Sequence, residues 1–137
     1  CIQRHRESFK ELIEDYIDIL FANEDELLSL YETSDLHIAK KQVRDKCGVT
    51  VLTRGSQGSI IISKSKEHVI NPYKLGNVID TTGAGDLFAS GFLYGYTTNR
   101  DLITCGNIGS ICAGHIVTVL GSKPKTSLLS LLDKNLK

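Results

Sequence analysis

The chain has 137 residues, 41% of them hydrophobic and 23% charged, the balance of a globular protein with a core of its own. Sixteen basic residues offset sixteen acidic ones, so charge offers no attraction for nucleic acid or an anionic membrane as partner. No apolar run approaches the ~20 residues of a membrane-spanning helix, and the opening residues are too polar for a signal peptide.

The first helix is expected over 8–16, where Phe9, Leu12, Ile13 and Tyr16 recur at i, i+3, i+4 and i+7. A short apolar run, 17–22, has strand length, and Asn23 follows it directly. Leu27, Leu28 and Tyr31 then continue on a helical face. Another helix is expected over 35–47, burying Leu36, Ala39 and Val43, with Gly48 as its C-terminal stop. Residues 49–53 are β-branched and apolar, 54–58 read as a turn, and 59–63 as the returning strand of a hairpin. A polar turn leads to a third strand, 68–70, and Asn71-Pro72 opens a loop.

Two helices close the pattern. One is expected over 84–97, with Gly91 and Gly95 on one stripe. The other is expected from 101 to about 120, with Leu102, Cys105, Ile108, Cys112, Ile116 and Val119 on one face. Gly106, Gly109, Ala113 and Gly114 in it imply that something approaches closely. Gly121-Ser122-Lys123-Pro124 ends it, and 127–132 form a last short helix. Strands alternating with helices predict an α/β layered fold with a mostly parallel sheet, whose ligands sit at the carboxyl ends of the strands.

Cys1, Cys47, Cys105 and Cys112 form no Cys-x-x-Cys pair and the histidines show no ligand spacing, which argues against zinc. The thiols fit a reducing, cytoplasmic setting. There is no methionine, and a chain opening Cys1-Ile2-Gln3 is expected to be a portion of a longer protein.

Three junctions carry chemistry. At Asp80-Thr81-Thr82-Gly83-Ala84-Gly85-Asp86 an extended segment turns through small residues into a helix. The first amides of a helix lack internal partners and carry about half a positive charge, so Gly83, Ala84 and Gly85 can cradle an anion beside the Asp86 carboxylate. The plainer alternative has Thr81 or Thr82 as N-cap and Asp86 as an ordinary first-turn acid. Asn23 and Glu26 have the spacing of a capping box, which needs no ligand. Thr53-Arg54-Gly55-Ser56-Gln57-Gly58 can be a glycine hairpin turn and nothing more.

These stretches together resemble the signatures of the PfkB family of carbohydrate and nucleoside kinases, which includes ribokinase and adenosine kinase. The Asp80–Asp86 string, with Phe88 and Gly91 behind it, matches the family's principal motif. The resemblance implies a ribokinase-like fold, and the chain would be its carboxyl-terminal nucleotide-binding and catalytic portion over residues 1–137. An amino-terminal half with the acceptor-binding residues would lie elsewhere in the same protein. It implies ATP as donor, Mg2+ as cofactor, and a small sugar or nucleoside as acceptor, with adenosine-kinase-like members nearest. Asp86 would be the base, and the Gly83, Ala84 and Gly85 amides would stabilise the transferred phosphoryl group. Thr53, Arg54, Gly55, Ser56 and Gly58 would lie along the nucleotide, with Ser110 beside the adenine ring. Asn23 and Glu26 would hold magnesium through water. Asp80 and Thr82, with carbonyls of Ile116, Val119 and Gly121, correspond to a monovalent-cation (K+) site. His115 reads as a packed helix residue. Such a chain alone is expected to turn over poorly. The other reading is a nucleotide-binding or scaffold module that keeps the fold without the chemistry.

Overall fold

The computed structural model describes residues 2–74, 76–119, 121, 124 and 127–135. The chain divides into two compact units, Cys1–Arg54 with Ile60–Val69, and Gly55–Ser59 with Ile70–Lys137.

In the first unit a 3₁₀ turn at Ile2–Arg4 leads into α1 (Arg6–Asp15), then β1 (Ile19–Asn23), α2 (Glu24–Tyr31), α3 (Leu36–Lys46) and β2 (Val49–Thr53). β3 (Ser59–Ser63) and β4 (Glu67–Ile70) complete a four-stranded sheet in the order β1-β2-β3-β4. β1 and β2 are parallel, from Ile19 opposite Val49 to Asn23 opposite Thr53. The connections 54–58 and 64–66 are too short for a crossover, so β3 and β4 return antiparallel and the sheet is mixed. Leu52, Ile60 and Ile62 on one sheet face pack with Ile13, Leu27, Leu30, Ala39 and Val43 of the helices. Val51 and Ile61 alternate to the other face and are fully buried too, as strands covered on both sides require.

α3 ends otherwise than its sequence suggests. Cys47 is extended, at φ −118° and ψ 143°, and its amide donates to the Val43 carbonyl. Gly48 is therefore not a left-handed stop. A Cβ on it would lie 3.0 Å from the Asp18 carbonyl oxygen, so the glycine serves the close approach of the chain before β1.

The second unit is built on α4 (Ala84–Thr97) and α5 (Leu102–Ile116), with α6 (Leu128–Asn135) beside them. The small-residue stripes bring the helix backbones together. A Cβ on Gly91 would lie 2.9 Å from the Ile108 carbonyl, and one on Gly109 would lie 2.8 Å from that of Phe88. Ile108, Ile111 and Cys112 form the core with Leu132 of α6. Cys105 and Cys112 are buried free thiols, and burial holds both above the ordinary thiol pKa, with Asp101 adding to the effect at Cys105.

α5 ends at Ile116, earlier than its apolar face suggests, because the backbone tightens there. Thr118 N–H donates to the His115 carbonyl and Val119 N–H to that of Ile116. Ser122 and Lys123, assigned from the sequence to the same stop, lie outside the described residues, as does Cys1.

Candidate functional site

The start of α4 has neither threonine as its cap. Gly83 is the N-cap, in the left-handed region at φ 78°, and no side chain caps the helix. The Ala84 amide donates to the Thr81 carbonyl at 3.2 Å, and the next amide with a backbone acceptor is that of Leu87, 2.9 Å from the Gly83 oxygen. The Gly85 and Asp86 amides between them have no acceptor among the described residues. Gly85 has an ordinary φ, and a Cβ on it would meet no atom within 4 Å. Neither backbone conformation nor packing explains the glycine, and the bare backbone leaves room for an anion to approach. Asp86 is exposed in the same helical turn.

The segment entering this turn is pinned by Asp80. One carboxylate oxygen accepts the Thr82 amide at 2.9 Å and the other the Gly121 amide at 3.1 Å. These bonds, Thr82's first, hold the carboxyl below its usual range. The Ile79 and Asp80 amides both donate to the Val117 carbonyl, at 2.7 and 3.3 Å. Asp80, Thr82 and Gly121 thus come together, while Ile116 ends α5 and Val119 lies in the turn that follows it. The acceptor chemistry suits a monovalent cation: a carboxylate oxygen and carbonyls each have a second lone pair left.

Ser110 is buried and its hydroxyl is engaged twice. It accepts the Tyr73 amide at 2.8 Å and donates to the Asn71 carbonyl at 2.9 Å, so it clamps the loop after β4. Gly114 completes the seat, since a Cβ there would lie 2.2 Å from the Tyr73 oxygen.

At the carboxyl ends of β1 and β2, Asn23 and Glu26 form the complete capping box. The Glu26 amide donates to Asn23 Oδ1 and the Asn23 amide to Glu26 Oε2, each at 2.8 Å. Glu26 Oε1 remains for a water of a hydrated metal. Among the described residues no three His, Cys, Asp or Glu side chains cluster to hold a metal. The donor set fits Mg2+ only if the ion keeps several waters, which is magnesium's habit.

Thr53 ends β2, its hydroxyl 3.4 Å from the Ala22 carbonyl. Gly55–Gln57 is a 3₁₀ turn that includes Ser56, closed by the Gly58 amide on the Gly55 carbonyl at 3.1 Å. Gly58, at φ 84°, is a packing glycine, since a Cβ there would lie 2.1 Å from the Ile70 oxygen. The Arg54 guanidinium donates through Nε to Glu24 Oε1 at 2.8 Å. Sequence reasoning passed over Glu24. Its signal is positional, because pairing Asn23 with Thr53 sets Glu24 and Arg54 side by side past the strand ends.

Known proteins resemble this chain in sequence and in fold. A nucleoside kinase of Methanocaldococcus jannaschii is 35% identical over 119 residues, 87% of this chain and 38% of that protein. An adenosine kinase of Sinorhizobium meliloti superposes with a TM-score of 0.95 at 37% identity, over 98% of this chain and 42% of its own. Arabidopsis thaliana ribokinase, solved with ribose and ATP, superposes with a TM-score of 0.79 at 29% identity, over 90% of this chain and 43% of its own. The chain thus has the ribokinase fold and spans about two fifths of the length of these relatives. The family model for pfkB carbohydrate kinases matches residues 2–127, nearly all of the chain, which therefore belongs to that family.

Proposed function

We propose that the chain is the carboxyl-terminal, nucleotide-binding and catalytic portion of an ATP-dependent kinase that phosphorylates a hydroxyl of a sugar or nucleoside. The observation that carries this reading is the uncapped start of α4, with two free amides, an unobstructed glycine and an exposed carboxylate in a single turn. The ribokinase relative solved with ribose and ATP supports the substrate class.

In this reading Asp86 accepts the proton of the acceptor hydroxyl as its oxygen attacks the γ-phosphorus and the bond to the ADP oxygen breaks. The free amides of Gly85 and Asp86 donate to the phosphoryl oxygens, where negative charge concentrates, and Gly83 and Ala84 shape the turn that presents them. Gly55, Ser56 and Gly58, with Thr53 and Arg54 before them, run along the nucleotide. Asn23 and Glu26 hold Mg2+ through its waters, and the ion when bound neutralises phosphate charge. Asp80, Thr82, Ile116, Val119 and Gly121 offer a place for K+ that would stiffen the turn. The acceptor-binding residues belong to the amino-terminal half.

Replacing Asp86 with Asn tests the assignment in a protein that carries this chain with its acceptor-binding half. Turnover should fall roughly 10²–10⁴-fold, the usual worth of a positioned base, with MgATP affinity within about twofold of wild type. Loss of binding and turnover together, or of neither, would refute the role. Full kinase activity from residues 1–137 alone would refute the division of labour.

A further inference from the structure

Glu24 and Arg54 stand inside two of the stretches that carry the family resemblance, one residue past Asn23 and Thr53. β1 and β2 are parallel and end in register at Asn23 and Thr53, so the next residue of each leaves the sheet at the same edge. Glu24 is the first residue of α2, where the helix dipole favours an acid. Arg54 precedes Gly55, whose φ of 54° turns the chain into the 3₁₀ segment. The two side chains meet through Nε and Oε1 at 2.8 Å while 26% and 37% exposed. Both are therefore at the surface and half-shielded, where an ion pair contributes little to stability, on the order of 1 kcal/mol or less.

An arginine in such a place has a large rotamer freedom to lose before it can serve a ligand. A carboxylate that already fixes Nε removes most of that cost. The first turn of α2 also carries Asp25 and Glu26, so Arg54 is set in a patch that repels polyphosphate unless a cation is held in front of it.

We infer that Glu24 is a positioning residue for Arg54: it holds the guanidinium at the carboxyl end of β2 so that its charge is ready for the phosphates of a nucleoside triphosphate. This deepens the kinase reading and rests on it. Glu24 itself touches no substrate, and its effect on nucleotide binding passes wholly through Arg54.

The test is a double-mutant cycle on MgATP binding, measured by titration calorimetry on the whole chain. Glu24→Gln and Arg54→Ala should each weaken MgATP about fivefold or more, and the double variant should be no weaker than Arg54→Ala alone, since coupled residues are non-additive. Arg54→Lys should recover only part of the affinity, because a lysine has no Nε–H for Glu24 to fix. Melting temperatures should stay within a few degrees of wild type, which separates positioning from mere support of the fold. Unchanged or tighter MgATP binding by Glu24→Gln would overturn the inference, as would strictly additive losses. If wild type fails to bind MgATP at all, the kinase reading itself falls, which is a different result from a silent Glu24→Gln.

Discussion

The starts of α2 and α4 look alike in sequence, a small or polar residue followed by an acid three positions on, yet they are built in opposite ways. At α2, Asn23 and Glu26 answer each other's amides and the helix end is closed by its own side chains. At α4, Gly83 has no side chain to offer and the Gly85 and Asp86 amides stay open. Helix ends left without partners at a cost to stability are where a protein receives an anion. The same contrast sorts the glycines. Gly58 is required by the protein itself, and Gly85 by nothing the protein contains.

That distinction can be broken first at Gly58. Alanine there would have to adopt φ 84° and place its Cβ 2.1 Å from the Ile70 oxygen and 2.9 Å from the Pro72 nitrogen, all backbone atoms. The conformational penalty of ~1–2 kcal/mol and the overpacking of ~1–3 kcal/mol together predict a loss of roughly 2–5 kcal/mol in urea denaturation. A Gly58→Ala variant as stable as wild type would remove the structural reason for this glycine.

Gly85→Ala should behave in the reverse sense. With open space around it and an ordinary helical φ, alanine gains helix propensity, up to about 1 kcal/mol of stability. Its methyl group would stand where an anion meets the backbone, so MgATP affinity should drop about tenfold, equivalent to roughly 1.4 kcal/mol. A variant that is stabler but binds worse would be the clearest sign that the glycine serves a ligand. One that is stabler and binds equally well would remove the cradle.

Asn23→Ala gives a smaller change, close to 1 kcal/mol of stability, as for loss of an N-cap. Asn23→Asp should restore most of it, because the carboxylate can accept the Glu26 amide as Asn23 Oδ1 does. Titrating Mg2+ into both variants separates the cap from the metal role. If Asn23 serves only the helix, the stability gap will not depend on magnesium.

Much of this was legible in the sequence, because local signals and tertiary needs agree along most of the chain. α4 begins and ends where its pattern says, since Gly83 and the run of apolar and small residues act within one helix. β2 and β3 likewise match their β-branched composition. What the sequence could not carry were contacts fixed by partners far away in it. α5 stops at Ile116 where its Val117 carbonyl is claimed by the amides of Ile79 and Asp80. Gly48 reads as a helix stop, but it answers to Asp18. Ser110 reads as lining for a base, and its hydroxyl proves to be held by Asn71 and Tyr73. Arg54 reads as a cation whose facing the sequence does not set, and the β1–β2 register brings it to Glu24.

The smallest expected effect concerns Glu67 at the other side of the sheet unit, and it separates charge pairing from capping. Glu67 accepts Lys40 Nζ at 2.7 Å and also pairs with Arg44. The Lys40 hydrogen bond, helped by the charges of Lys40, Arg44 and His37 and opposed by burial, holds its carboxyl below the ordinary 4.5. A carboxyl whose pKa is lowered on folding stabilises the fold fully above its unfolded value and loses that contribution as pH falls through the folded one. The contribution should therefore be flat from neutral pH down to about 4.5 and fade below it, amounting to a few tenths of a kcal/mol for a partly exposed network. Melting wild type and Glu67→Gln side by side checks the sign: the gap should close toward about pH 3 and shrink in about 1 M salt. The Asn23→Ala gap should survive the same salt, because a neutral amide cap does not depend on Coulomb attraction over distance. If both gaps close together in salt, then α2 is held by its acidic first turn acting on the dipole, and the contrast with α4 becomes one of charge instead of closed and open amides.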